Sequence, residues 1–394
     1  MDAYIFDVLQ LILRYFHVVA GIAWIGASFY FIWLDNNLTI PPQWKQDQGI
    51  KGDLWAIHGG GFYEVAKYQN APKTMPETLH WFKWEAYTTW ISGFLLFSLL
   101  YYVGANTYLI DNSKMALMPW QAISISLGLL LLGLGFYELI AHSPLSNKGV
   151  VFCLVCIAAL TLYFYGLNQL FSQKAAMIQT GALIGTCMAA NVFLHIMPAQ
   201  RYLVNEVAHN RKPDAAPGLK AKNRSVHNNY ATLPILFIML SSHFSVIMGR
   251  EPSWAILAAV ISIGMWMRHY FNLKHQGKNR PWVLISALLA FLSLIVALAP
   301  LPKATETAII KPAISHQQGM AIIEKHCQSC HSQAPTSPLF SQAPVGLILD
   351  DLEQVKHHKE AIISRTVISK DMPLGNMSNM TDKERGTLNL WLNP

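Results

Sequence analysis

The sequence predicts an all-α protein in which an eight-helix transmembrane bundle is followed by a small all-α domain. Hydrophobic residues make up 53% of the 394-residue chain and charged residues 13%, against about 25% charged residues in ordinary soluble proteins. Eight mainly apolar segments each approach the roughly 20 residues that a membrane-spanning helix needs. From about residue 316 the composition becomes that of a soluble protein, so the small domain follows the bundle.

The apolar segments set the predicted domain boundaries. They lie near 5–34, 85–104, 118–140, 150–168, 176–197, 230–248, 253–271 and 281–300. The loop 35–84 is long, and the loop 198–229 is strongly basic. Residues 301–315 contain Leu-Pro-Lys and Lys-Pro and are typical of a linker. The chain therefore divides into a transmembrane domain (1–300), this linker and a C-terminal domain (316–394).

The C-terminal domain carries a haem-attachment motif, in which Cys327 and Cys330 are followed by His331. In C-x-x-C-H the two cysteines form thioether bonds to haem and the histidine ligates the iron. One helical turn between the cysteines places both sulfurs at the porphyrin edge. Three predicted helices, near 317–326, 352–367 and 381–392, surround the motif. The sequence therefore predicts a cytochrome c domain with one covalent haem c.

A methionine supplies the predicted second axial ligand of this haem. Met372 precedes Pro373 in the loop before the last helix, the usual position in a cytochrome c. Met377 and Met380 are the alternatives. A thioether opposite a histidine raises the haem potential, which suits an electron acceptor.

The distribution of basic residues predicts the orientation in the membrane. Haem c is attached outside the cytoplasm in bacteria, and an even number of spans then places the N-terminus outside as well. The loops predicted inside carry 15 Lys and Arg residues and those outside carry 3, as the positive-inside rule requires. We expect a multi-pass protein of the bacterial inner membrane with a periplasmic N-terminus and cytochrome domain. This asymmetry explains the net charge of +7 without nucleic acid.

Ionisable residues inside membrane spans are expensive and are functional candidates by default. His17 lies in the middle of the first segment and His243 in the outer half of the sixth. Their possible roles are ligation of a haem b, proton transfer and structural hydrogen bonding. A second polar group lies near the predicted inner ends and is expected to face one cavity. It comprises Glu138, His142, His195, Arg201, His227, Asn228, Asn229, Tyr230 and His269.

Several stretches of the chain resemble the bacterial membrane-bound urate oxidase (urate hydroxylase) family. They are HVVAGIAWIGASFYFIWLD (17–35), RSVHNNYATLP (224–234) with Ser241-Ser242-His243, and MPLGN (372–376) with Met380-Thr381-Asp382. Members of this family join an eight-helix N-terminal domain to a cytochrome c, so the resemblance covers essentially the whole chain.

The resemblance implies oxidation of urate to 5-hydroxyisourate. Electrons would leave through haem c to a respiratory acceptor, either a soluble cytochrome or a terminal oxidase. Urate is a planar monoanion at neutral pH and requires a cation, amide hydrogen bonds and an aromatic surface. We expect Arg201, His227, Asn229 and Tyr230 to form this site near the inner face. His195 or His227 is the expected general base, since histidine titrates near neutral pH.

Two other functions are compatible with parts of the sequence. The chain is alternatively an electron-transfer cytochrome subunit that serves a purine dehydrogenase or quinol, or a transporter with an attached cytochrome. An inner substrate site also raises a distance problem, because the hydrocarbon core is about 30 Å thick and the haem lies outside. A haem b, or the aromatic side chains of Trp24, Tyr30 and Trp33, would serve as the relay.

Overall fold

The computed structural model describes residues 3–69, 71–72, 75–244, 247–299, 314–340 and 342–393, and most of the chain is helical. Ten α-helices are described up to residue 299: α1 Ala3–Asn37, α2 Gln43–Gln46, α3 Trp84–Phe97, α4 Pro119–His142, α5 Gly149–Leu170, α6 Gln173–Ala190, α7 Met197–Ala208, α8 Ala215–Ser241, α9 Ser253–His275 and α10 Pro281–Ala297. Three π-helical segments extend them: Ser98–Val103 and Ala105–Leu109 after α3, and Asn191–Ile196 between α6 and α7.

Each predicted apolar segment overlaps a helix of the described residues, and the hydropathy of these helices is compatible with a membrane protein. Five helical stretches of the described residues are long and apolar enough to cross a bilayer: Tyr4–Asn37, Trp84–Val103, Pro119–His142, Gly149–Leu170 and Gln173–Ala208. Helix α10 is apolar but shorter. Helices α8 and α9 have sufficient length but carry the polar residues described below.

The prediction of a purely α-helical protein was wrong in the loop 35–84. This loop contains an antiparallel hairpin of β1 (Ile50–His58) and β2 (Gly61–Tyr68). Gly59 and Gly60 form its turn, and both have positive φ, a conformation that glycine adopts without steric cost. Lys45 is buried against the hairpin and forms ion pairs with Asp53 and Glu64.

The boundaries of the sixth predicted segment were also wrong. Helix α8 begins at Ala215, within the stretch predicted as a basic loop, and ends at Ser241 instead of residue 248. Asp214 caps its first turn by accepting a hydrogen bond from the backbone N–H of Ala216. Pro234 interrupts the hydrogen bonding of α8, but Gly264 of α9 leaves room for its ring. Because α8 begins at Ala215, residues Arg224 to Asn229 are helical and lie within the bundle.

The C-terminal segment, residues 314–393, has its own hydrophobic core around Ile323, Val355 and Leu388. Its helices are α11 His316–His326, α12 Leu352–His357, α13 Lys359–Ile362 and α14 Asp382–Leu392, with a π-helical segment over Ile363–Ile368. Helix α14 begins with the predicted capping box of Thr381 and Glu384. The predicted middle helix is instead broken at His358. Most of the predicted linker, 301–313, lies outside the described residues.

Candidate functional site

An ion pair between Glu138 of α4 and Arg224 of α8 organises the predicted inner end of the bundle. The two Arg224 Nη atoms lie 3.2 and 3.0 Å from the two carboxylate oxygens. Arg224 is buried, so the pair depends on the additional hydrogen bonds that both groups make. His195 Nε2 lies 2.9 Å from Glu138 Oε2. Because a carboxylate accepts hydrogen bonds, His195 donates through Nε2 and keeps Nδ1 free.

A second histidine, His227, is held by the neighbouring part of the same network. Tyr137 Oη lies 2.9 Å from His227 Nδ1 and accepts a hydrogen bond from Asn191 Nδ2 at 2.8 Å. The hydroxyl hydrogen is therefore available for His227 Nδ1, which places the imidazole proton on Nε2. Asn191 also donates to Asn228 Oδ1 and accepts from Arg224. His227 is consequently a hydrogen-bond donor toward its surroundings, whereas His195 has the free nitrogen of a general base.

The arrangement of Glu138, His142 and His195 also resembles a metal site, because their ligand atoms lie within 4.8 Å of one another. Arg224 contacts both oxygens of Glu138 and also lies 3.1 Å from His142 Nδ1. A guanidinium therefore already supplies the positive charge at this position. We assign the cluster to an ion-pair network.

A cavity of about 1200 Å³ lies between α4, α5, α6, α8 and α9. Most of its wall is aliphatic, and its polar edge contains His227, Asn228, Tyr230 and His269. Four of the nine predicted inner polar residues therefore line one cavity, and their functional roles stay predictions. Glu138, His142 and His195 do not line this cavity.

Tyr230 and His269 form a pair beside a third polar cluster. Tyr230 Oη lies 2.7 Å from His269 Nδ1, and the indole of Trp266 stacks on His269 with ring centroids 5.4 Å apart. This cluster is formed by Asn229 of α8 with Arg268 and Asn272 of α9, and Arg268 faces Phe29 of α1. There Asn229 Oδ1 accepts hydrogen bonds from Arg268 Nε at 3.1 Å and from Asn272 Nδ2 at 2.8 Å.

Three other predicted residues lie apart from these clusters. Arg201 is exposed on α7 and is near enough to interact with Tyr87. His17 of α1 packs against Gly93 of α3, and its Nδ1 lies 3.0 Å from the Thr89 carbonyl oxygen. His243 is exposed in the turn after α8. Their catalytic or haem b roles stay predictions.

Five residues of these clusters were not predicted from the sequence as members of a site: Tyr137, Asn191, Arg224, Arg268 and Asn272. A signal was available for Arg268, because it is an ionisable residue within the predicted segment 253–271 and precedes Asn272 by one helical turn. Arg224 was obscured by the prediction of a loop before residue 230.

The side chains of the C-terminal segment are compatible with a covalent haem. Cys327 ends α11, and Cys330 and His331 follow in the next turn. His331 Nδ1 donates to the Leu347 carbonyl oxygen at 3.0 Å, which leaves Nε2 for a metal, the usual support of a ligating histidine. Burial lowers the pKa of His331 more than this hydrogen bond raises it, so the ring is neutral at pH 7. Neutral imidazole is the form that ligates iron.

The three candidate axial methionines have different surroundings. Met380 is buried in the core of the C-terminal segment. Met377 Sδ accepts a hydrogen bond from Thr107 Oγ1 at 3.4 Å. Met372 is half-buried, and its backbone is fixed by Arg365 and Arg385. The assignment of Met372 as the axial ligand, with Met377 and Met380 as alternatives, stays a prediction.

The contact of Met377 with Thr107 belongs to an interface between the C-terminal segment and the π-helical segment Ala105–Leu109. Tyr108 is close enough to Cys330 to interact electrostatically and lies 6.3 Å from Tyr101, centroid to centroid. Tyr101 stacks on Phe97. Tyr108, Tyr101 and Phe97 therefore form an aromatic series that begins near Cys330. The relay role of Trp24, Tyr30 and Trp33 stays a prediction.

Comparison with known protein families gives a match over residues 3–299 to the family described as urate oxidase N-terminal. No curated protein and no solved structure matches the chain.

Proposed function

Because the chain belongs to the urate oxidase N-terminal family, we propose that it oxidises urate to 5-hydroxyisourate at the bacterial inner membrane. The electrons leave through a covalent haem c in the C-terminal segment to a respiratory acceptor, a soluble cytochrome or a terminal oxidase. The overall change is urate plus water to 5-hydroxyisourate, two protons and two electrons. When bound, the haem supplies a one-electron acceptor.

The observation that carries this proposal is the contact between the C-terminal segment and the family-matched part of the chain. Thr107 donates a hydrogen bond to Met377 Sδ, and Tyr108 is near enough to Cys330 to interact with it electrostatically. A segment that served only a separate dehydrogenase would not require this contact with its own membrane helices. The alternative of a pure electron-transfer subunit is therefore less well supported.

The proposed orientation places this interface on the periplasmic side and the polar clusters nearer the cytoplasm. Along α8, Asn229 precedes the last residue, Ser241, by 12 positions, which is about 18 Å at 1.5 Å per residue. This separation is shorter than the full hydrocarbon thickness of about 30 Å. The aromatic rings of Tyr108, Tyr101 and Phe97 follow one another from the neighbourhood of Cys330.

We assign the general base to His195. Glu138 holds its Nε2–H and leaves Nδ1 as a proton acceptor, the arrangement by which a carboxylate orients a catalytic histidine. His227 and Tyr230 remain proposed site residues on the cavity edge, where they bind or orient the substrate. Arg201 remains a proposed contributor of positive charge.

Urate alone should reduce the haem of the purified full-length protein under anaerobic conditions. The visible spectrum of the haem measures this directly, and ascorbate serves as the control that shows a reducible haem. If ascorbate reduces the haem and urate does not, the oxidase proposal is wrong and the electron-transfer alternative gains support.

Substitution of Glu138 by Gln is expected to slow the reduction of the haem by urate about 100-fold, the range of a positioned general base. The Gln side chain can no longer act as an anionic acceptor for His195 Nε2–H. Single-turnover kinetics measure the rate, and a melting curve checks the fold, because Arg224 also loses its counter-ion.

His195→Ala should show a similar loss, and the double variant should be little slower than either single variant, since residues that act as a unit are not additive. Additive losses would contradict the assignment.

A further inference from the structure

Three buried polar atoms without a hydrogen-bond partner in the described residues lie in one cluster. They are Asn229 Nδ2, Arg268 Nη2 and Asn272 Oδ1. Their residues are 1%, 4% and 9% exposed. Buried polar atoms are nearly always paired, so three unpaired atoms on residues that Asn229 joins by hydrogen bonds indicate a missing partner.

Hydrogen bonding within the cluster fixes which atoms face that partner. Asn229 Oδ1 accepts from Arg268 Nε and from Asn272 Nδ2. The amide nitrogen of Asn229 and the amide oxygen of Asn272 are therefore left over. The cluster presents two donors, Asn229 Nδ2 and Arg268 Nη2, and one acceptor, Asn272 Oδ1.

The charge of the cluster points to an anion. No carboxylate of the described residues forms an ion pair with the Arg268 guanidinium, and a buried cation without a counter-ion is costly. The ring of Phe29 from α1 lies 3.8 Å from Arg268 Cζ and provides a flat apolar surface. Arginine is suited to planar anions, because its fork stays charged and its plane stacks on aromatic rings.

We propose that Asn229, Arg268 and Asn272 recognise the imide edge of the urate monoanion. This edge has two carbonyl oxygens, at C2 and C6, flanking the N1–H. The carbonyl oxygens accept from Asn229 and Arg268, and N1–H donates to Asn272 Oδ1. The inference rests on the proposed function, because it names the recognition site of the same substrate.

The location of the cluster agrees with this assignment. Asn229 adjoins Tyr230 in sequence, and Tyr230 is near enough to Asn272 and Arg268 to interact with both. The Tyr230–His269 pair therefore lies next to the proposed recognition site. Urate bound here would meet residues of α1, α8 and α9.

Methylated urates test the assignment on the unaltered protein. With its haem reduced beforehand by dithionite, the full-length protein cannot turn over urate, and calorimetry measures binding alone. We expect 1-methylurate to bind at least about 10-fold more weakly than urate, because the methyl group removes the donor to Asn272 and leaves a buried acceptor unpaired. We expect 9-methylurate, altered on the opposite ring, to bind within about 3-fold of urate.

Variants of the cluster test whether the lower affinity for 1-methylurate arises there. Asn272→Leu should weaken urate binding and bring the ratio of 1-methylurate to urate affinities close to one, as a double-mutant cycle requires. Arg268→Lys should weaken urate binding about 10-fold, since lysine lacks the planar fork. Arg211→Lys is the matched control, because Arg211 is an exposed arginine paired with Glu206. The affinity of this variant for urate should equal that of the wild-type protein.

The outcomes separate this inference from the proposed function. If urate binds and reduces the haem but 1-methylurate binds equally well, the cluster holds ordered water, and the inference is overturned while the oxidase proposal stands. The wild-type comparison decides this even if a variant fails to fold. If the wild-type protein neither binds urate nor is reduced by it, both proposals fail.

Discussion

Replacement of His331 by alanine is expected to reduce the covalent haem to background and to abolish urate oxidation. His331 is the histidine of the attachment motif, and its Nδ1 is held by the Leu347 carbonyl so that Nε2 is free for the iron. We also expect a domain this small to depend on the proposed haem for much of its stability. The pyridine haemochrome spectrum of the purified variant measures the haem content.

The same spectrum distinguishes the proposed haem c from the haem b considered for His17. A haem signal that persists in His331→Ala would show a second haem in the membrane helices. Met372→Leu is the informative contrast, because it should retain the covalent haem and lower its reduction potential. Met377→Leu should leave the potential nearly unchanged. If Met377→Leu lowers the potential and Met372→Leu does not, the axial assignment is wrong.

Substitution of Gly249 or Gly375 by alanine is expected to separate the C-terminal segment from the membrane helices. Both residues have positive φ, at 75° and 56°. A Cβ at Gly249 would lie 2.1 Å from Ser369 Cα, and one at Gly375 would lie 2.5 Å from the Thr107 carbonyl oxygen. Backbone atoms cannot move aside as a flexible side chain can, so the interface must open.

Overpacking of this kind costs about 1–3 kcal/mol, which corresponds to a decrease of roughly 5- to 150-fold in the docking equilibrium constant. We expect the rate of haem reduction by urate to fall by up to this factor, while reduction by ascorbate in solution is unchanged. Stopped-flow absorbance measures both rates.

Two other glycines serve as matched controls, one after α9 and one in the C-terminal segment. Gly277 and Gly346 have similar φ values, 75° and 68°, but a Cβ would meet nothing within 4 Å at either position. Gly277→Ala and Gly346→Ala therefore carry the same backbone penalty without a close approach. If they slow urate-driven reduction as much as Gly249→Ala and Gly375→Ala do, docking is not the cause.

The sequence alone predicted those features that depend on residues close together in the chain. The attachment motif spans Cys327 to His331, the capping box spans Thr381 to Glu384, and each apolar segment is continuous. Such signals are local, so they do not require knowledge of helix packing. The hairpin was missed because residues 35–84 were predicted only as a long loop. Helix α8 was predicted to start too late because its first turns are basic rather than apolar.

The sequence by itself therefore determined the helical segments, the haem motif and the family, through local patterns that survive without tertiary contacts. Only the tertiary structure decided which polar residues meet. Glu138 and Arg224 are 86 positions apart, and Asn229 is 39 positions from Arg268 and 43 from Asn272. Helical periodicity shows that a polar residue lies on a given face but not which helix that face contacts. The packing of α1, α4, α6, α8 and α9 supplies this information, and it adds buried Arg268 to exposed Arg201 as a proposed cationic partner of the urate anion.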